Sequence, residues 1–190
     1  MVVNEAKLLK ILKKDHAIYE KTYSSYVVGN TFGFYHLPEL SPKVKGKLIE
    51  LGFNLETEKL QILRENGLIT ENNDGIKKFL DIPEGETSVK LTKLIYQSSK
   101  KHDNKYLLVA ESGEICAINT ELLDPALSQP GELAGVITAQ CKEIEGKVMH
   151  LRLILDDHTL AILLPVLHLE GGWTKEIKEM IAAPTAEVNA

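Results

Sequence analysis

Residues 136–168 read VITAQCKEIEGKVMHLRLILDDHTLAILLPVLH, and this stretch decides the fold. Three apolar-rich runs, at about 136–144, 147–155 and 159–168, are separated by Glu145-Gly146 and Asp156-Asp157, short polar pairs that reverse a chain between neighbouring strands. Strands joined this closely form an antiparallel meander, because a parallel crossover needs a dozen or more residues. In the last run Leu160, Ile162, Leu164 and Val166 share one face while Ala161, Leu163 and Leu167 occupy the other, so both faces are apolar. Such a strand is normally central, yet Pro165 lacks the amide a central ladder needs, and the run is expected at an edge or a bulge. An apolar edge must be covered, whether by the amphipathic stretch from Trp173 to Ile181, by a second copy of the chain in a homo-oligomer, or by a partner peptide.

Upstream, Ala6, Leu8, Leu9, Ile11 and Leu12 recur at helical spacing after Asn4, a residue able to cap the free amides of a first turn. Strands are predicted at Ala17 to Thr22 and Tyr26 to Leu37, with Gly29-Asn30 suited to a tight turn or bulge. Ser41-Pro42 opens a second helix that Gly52 ends. In residues 54–72, Leu60, Ile62 and Leu63 fit either a short helix or, as favoured, a strand turning at Asn66-Gly67 into Leu68-Ile69; a helical turn near Ile76 to Leu80 and strands at about 89–97, 105–111 and 114–118 follow. Thr120 to Leu123 begins a further helical turn, and Pro130-Gly131 lies in a loop. Helices and strands do not alternate regularly, which excludes a doubly wound parallel sheet. The expected architecture is α+β: a curved, mostly antiparallel sheet with helices packed on one face, forming a single domain over residues 1–169, with a C-terminal amphipathic segment and polar tail over 170–190.

Composition narrows the class further. In 190 residues, 44% hydrophobic and 26% charged content is that of a globular chain, which excludes a disordered, collagen-like or disulfide-framework protein. The longest uncharged apolar run, Leu160 to Leu167, is far short of the roughly 20 residues of a membrane helix. Its start lacks a basic segment followed by a continuous apolar core, so a cytoplasmic location without membrane contact is expected. The net charge of −5 is unevenly spread: residues 1–52 carry +3 and the remainder −8. A basic lobe on an acidic body does not favour avid, sequence-blind nucleic-acid binding overall, but a local cluster can still track phosphates.

Catalytic patterns are sparse. His150, Asp156, Asp157, His158 and His168 are residue types that suit zinc or iron, but the meander separates them along its ladder, so no metal is expected. Ser98-Ser99, Ser112 and Ser128 lack a nucleophile elbow, and Cys116 and Cys141 sit in strand-like apolar surroundings, where a thiol is a small buried hydrophobe. Neither dinucleotide-binding nor phosphate-loop glycine patterns occur, so no cofactor is expected. If the chain is instead a small enzyme or ligand sensor, Tyr96, His102, Asp103 and His150 are the candidates for its pocket.

The run Leu153 to Leu167, ending in an apolar-Pro-apolar motif, resembles the closing strands of bacterial DNA polymerase sliding clamps, and Val27 to Phe34 is similar to the strand and turn after the first helix of a clamp domain. The resemblance implies one clamp-like domain over about residues 4–168 in a non-enzymatic binding module, in a phage or mobile-element setting. It implies that Lys7, Lys10, Lys14, Lys43 and Lys47 approach DNA phosphates without reading sequence, and that Leu164, Pro165 and Val166 line a groove for a replication-protein peptide. The plain alternative is that the lysines only solubilise two helices. Three features depart from the clamp pattern: the chain has room for one domain only, Leu167 or His168 stands where the clamp ending is basic, and Thr120 to Asp124 is acidic.

Overall fold

A computed structural model describes residues 3–12, 16–71, 76–97, 104–145 and 147–166. The chain order is α1 (Glu5–Ile11), β1 (Ala17–Lys21), β2 (Tyr26–Asn30), β3 (Gly33–Leu37), α2 (Pro42–Glu50), β4 (Gln61–Arg64), β5 (Gly67–Thr70), β6 (Thr87–Tyr96), β7 (Lys105–Ala110), β8 (Ile115–Asn119), α3 (Thr120–Leu123), β9 (Leu127–Gln129), β10 (Glu132–Leu133), β11 (Ile137–Ile144), β12 (Lys147–Leu155) and β13 (His158–Leu163). Eleven strands form one antiparallel sheet in the order β5-β4-β1-β2-β3-β13-β12-β11-β6-β7-β8, while β9 and β10 pair separately. The fold is α+β and mostly antiparallel as expected, but the sheet is neither curled nor closed.

Side-chain alternation separates the two faces. Tyr19, Val28, Tyr35 and Ala161 join Leu8, Ile11, Val44, Leu48, Leu122 and Leu123 of the three helices in the main core. Their neighbours Ile18, Val27, Phe34 and Ile162 point the other way and form a second, smaller cluster with Leu60, Ile62 and Ile76. The helices therefore cover one face, and the short 3-10 turn Lys77–Phe79, entered through Ile76, lies over the other. Asn4 and Ser41 cap α1 and α2 through their side chains, as the sequence predicts.

Two expectations are corrected. The strand beginning at Thr159 is central, paired to β12 through Leu151↔Leu163 and to β3 through Leu163↔Gly33, and it ends at Leu163. Pro165 falls beyond the ladder, so its missing amide costs no sheet hydrogen bond. The run Tyr26 to Leu37 is two strands, and the turn lies at Thr31-Phe32, where the Asn30 carboxamide oxygen accepts from the Phe32 and Gly33 amides at 2.8 and 3.1 Å. Gly29 is not at the turn but within β2, where a Cβ would lie 2.3 Å from the Gly33 carbonyl oxygen. Pro130-Gly131 lies in a turn as expected, and that turn joins the short strands β9 and β10, which the sequence reading does not include. The predicted segment 170–190 lies outside the described residues.

Candidate functional site

On the helix-free face, the sheet and the Ile76–Leu80 turn enclose a cleft of about 400 Å³. Ile18, Phe34, Ile62 and Ile162 are among its walls, Phe79 and Leu164 flank it, and Asn30, Thr31 and His150 supply polar groups. This volume and mixture, an apolar lining with a few polar groups, are those of a small-ligand pocket. Phe79, Met149 and Leu164 are 40, 44 and 43% exposed, so the cleft has an apolar mouth rather than being sealed in the core.

Two buried polar clips hold the roof. The Glu20 carboxylate accepts the Ile76 amide at 2.9 Å, and the Arg152 guanidinium donates to the Phe79 carbonyl oxygen at 2.6 Å. Arg152 also donates to Thr159 Oγ1 at 2.6 Å and forks onto Glu86, with Nε–Oε2 at 2.7 Å and Nη2–Oε1 at 3.0 Å. His150 Nε2 lies 2.7 Å from the same Glu86 Oε1. Both Glu86 and Arg152 side chains are almost wholly buried. Burial pushes both glutamates up. At Glu20 it prevails over the Ile76 hydrogen bond and Lys77, leaving the carboxyl above its ordinary range. At Glu86, hydrogen bonds from Arg152 and His150 and their charges outweigh it and hold the carboxyl below its ordinary range.

A second polar cluster stitches β2, β3 and β13. His36 Nδ1 lies 3.0 Å from the Thr159 carbonyl oxygen, which can only accept, so Nδ1 carries the ring hydrogen and Nε2 accepts from Ser25 Oγ at 2.5 Å. A serine hydroxyl donating to a histidine is the first half of a nucleophile constellation, but here the orienting third member is a backbone carbonyl and the serine is buried. The cysteines are buried as expected, with burial pushing the Cys116 thiol up to about 12 and raising Cys141 as well, the opposite of activation.

The expected sites are distributed as follows. α1 and α2 touch, exposing Lys10 and Lys43; Lys7 is half-buried, and Lys47 pairs with Glu50 at 3.0 Å. Lys14 lies outside the described residues. Leu164 lines the cleft, while Val166 donates its amide to the Ala117 carbonyl oxygen and packs with Leu107, Ala117 and Tyr96, taking the chain away from it. Pro165 is half-buried between them. His150 is in the cleft and Tyr96 is not; His102, Asp103 and His168 lie outside the described residues. Asp156 and Asp157 form the β12–β13 turn, both with positive φ, and no group of three or more His, Cys, Asp or Glu among the described residues could hold a metal. No described helix is long and apolar enough to cross a membrane.

Sequence reasoning missed Glu86, Arg152, Ser25 and His36. The one available signal was Arg152, a lone cation in the apolar run Leu151 to Leu155 and therefore a residue in need of a buried partner. No family model, no curated protein and no solved structure matches this chain.

Proposed function

We propose that this protein is a non-enzymatic binding module whose ligand occupies the cleft beneath the Ile76–Leu80 turn. The observation that carries the reading is the cleft itself: about 400 Å³, apolar-walled, open at Phe79 and Leu164, with its roof tied down at both ends. A roof fixed by buried polar clips is preorganised, so little ordering is required when a ligand enters. Because Leu164 faces the cleft while Val166 packs elsewhere, the arrangement favours a compact apolar ligand over an extended peptide along Leu164-Pro165-Val166. The test is uptake of an uncharged solvatochromic dye, Nile red. The reading expects a saturable blue shift with the wild type, displaced by decanol, and its loss in Leu164→Glu and Phe79→Glu, whose exposed positions tolerate charge without unfolding. Equal dye binding by both variants, or none by the wild type, overturns it.

A second reading, a clamp-like module on nucleic acid, is supported by the contact between α1, which carries Lys7 and Lys10, and α2, which carries Lys43. It expects retention on DNA at low salt that falls steeply with added salt, and loss of that retention when Lys7, Lys10 and Lys43 are replaced by Glu.

A further inference from the structure

The eleven-stranded sheet has two ends, and they are finished differently. At one end the outer side of β8 is covered by the chain itself: Val166 donates its amide to the Ala117 carbonyl oxygen, and Ile115 to Ile118 are buried. At the other end lies β5, whose four residues, Gly67 to Thr70, are all exposed, with Leu68 at 38% and Ile69 at 49%. The strand holds neither lysine nor proline, the residues that blunt an edge against further pairing.

Hydrogen-bond direction fixes which groups of β5 face outward. The amide and carbonyl of one residue point to one side of a strand, and those of the next residue to the other. Leu63 accepts from the His16 amide on the β1 side, whereas Leu60 accepts from the Glu71 amide on the β5 side. Leu60, Ile62 and Arg64 therefore serve β5, where Gly67, Ile69 and Glu71 bond inward, and the amides and carbonyls of Leu68 and Thr70 point away from the sheet. Side chains add a second constraint. Ile18 pairs with Ile62 and Ile62 with Ile69, so the three stand side by side on the helix-free face. Ile18 and Ile62 are buried in the cleft wall, and Ile69 leaves the row open at the edge.

We propose that β5 pairs antiparallel with β5 of a second copy of this chain, about a two-fold axis that passes through Ile69 perpendicular to the sheet. In this register Leu68 faces the partner's Thr70 and Thr70 the partner's Leu68, and each pair exchanges two hydrogen bonds, which satisfies every outward group of both strands. Ile69 meets the partner's Ile69 as a non-hydrogen-bonded pair, with Cα atoms about 4.5 Å apart, and the row Ile18-Ile62-Ile69 continues unbroken into the second copy. Gly67 faces the partner's Glu71, so no like charges are opposed. The neighbouring register that keeps the faces matched, with Leu68 on the partner's Leu68, sets Ile69 against the partner's Gly67 and breaks the row. An isologous contact closes the edge it uses, so association stops at the dimer. Four residues from each copy bury less than the roughly 800 Å² per partner of a standard interface, so the dimer is weak and dissociates on dilution.

The test is sedimentation velocity of the full-length protein over a concentration series from micromolar to millimolar. The expected result is a monomer at the dilute end and a weight-average sedimentation coefficient that climbs toward that of a dimer and not past it. Ile69→Lys and Thr70→Pro should each keep the chain monomeric throughout. The proline removes an outward amide that the monomer does not use, so the melting temperature of that variant should stay close to the wild type. Under mild oxidation Ile69→Cys should form an intermolecular disulfide, because its two copies are directly opposed, and Leu68→Cys should not; Cys116 and Cys141 are buried and do not compete. A wild type that is monomeric at every concentration, a dimer that survives both substitutions, or cross-linking at Leu68 in preference to Ile69 overturns the proposal.

Discussion

Replacing Glu86 by Gln removes one charge from a site where nothing else can take its place. Its carboxylate is 1% exposed and receives two hydrogen bonds from a guanidinium that is 2% exposed, with His150 as a third donor. The amide keeps the shape and one acceptor but leaves Arg152 positively charged, dry and uncompensated. Breaking one side of a buried pair costs about 3–5 kcal/mol. For a chain of this length each kcal/mol moves the midpoint by about 2–4 °C, so Glu86→Gln should melt roughly 6–20 °C below the wild type. The same loss should appear in urea titrations at pH 7.

The pH dependence carries a definite sign. Glu86 is held below the ordinary carboxyl range when folded, so its stabilisation is present above the unfolded value of about 4.3 and is lost as pH falls from there through the folded value. The deficit of Glu86→Gln should therefore be full at pH 7 and shrink below about pH 4.3. Replacing both partners, Glu86→Leu with Arg152→Met, should recover most of the loss, because the cost lies in the stranded charge. A single-variant loss under about 1 kcal/mol at pH 7, or one that grows on acidification, would refute the reasoning.

Glu20→Gln should behave oppositely: the amide oxygen still accepts the Ile76 N–H, the costly buried charge is gone, and stability at pH 7 should rise, with the gain shrinking as pH falls through the raised folded value and gone by about 4.3, a comparison read by urea titration. Gly29→Ala should cost about 1–3 kcal/mol or more, since its Cβ would lie 2.3 Å from the Gly33 carbonyl oxygen and 2.6 Å from Phe34 Cα; Gly46→Ala, open on α2, should gain about 1 kcal/mol in the same denaturation assay. Cys116 and Cys141 should react with a thiol-specific chromogenic disulfide only as fast as the protein opens, and rapidly in urea.

Much of the sheet was legible because it is built from local signals. Asp156-Asp157 marks a turn, Asn4 and Ser41-Pro42 mark helix starts, and each acts within a few residues of itself. Where the reading failed, a nonlocal contact had overridden a residue's local meaning. Gly29 resembles a turn glycine, but its use is to let β3 pass close by, a fact set by the packing of Phe34 against it. Pro165 resembles an edge signal, but the ladder stops two residues earlier, and nothing in the sequence between Thr159 and His168 indicates where β3 ceases to pair.

The cleft lies at the far end of that scale. Its walls come from β1, β3, β4, β12, β13 and a single 3-10 turn, elements brought together only by the strand order. Leu164 and His150 come opposite one another only through the register shift between Leu153 and Ile154, although both were singled out from the sequence for unrelated reasons. Glu86 was not: it lies 64 residues from His150 and 66 from Arg152, in a loop whose Pro-Glu-Gly composition reads as solvent-exposed turn. Yet Arg152 carried a physical demand that was visible without any fold. A guanidinium placed among Leu151, Leu153 and Ile154 must be paired or stay out of the core, so its presence implied a buried acid before the acid could be named. The same demand explains why the roof stays in place over an otherwise apolar face: the charge needed to satisfy Arg152 comes from the chain that follows the turn, and the spare guanidinium hydrogens capture the Phe79 carbonyl on the way. Satisfying one buried cation thus shapes the cleft, and the variants at Glu86 and Arg152 should perturb dye uptake together with stability, whereas Leu164→Glu should perturb uptake alone.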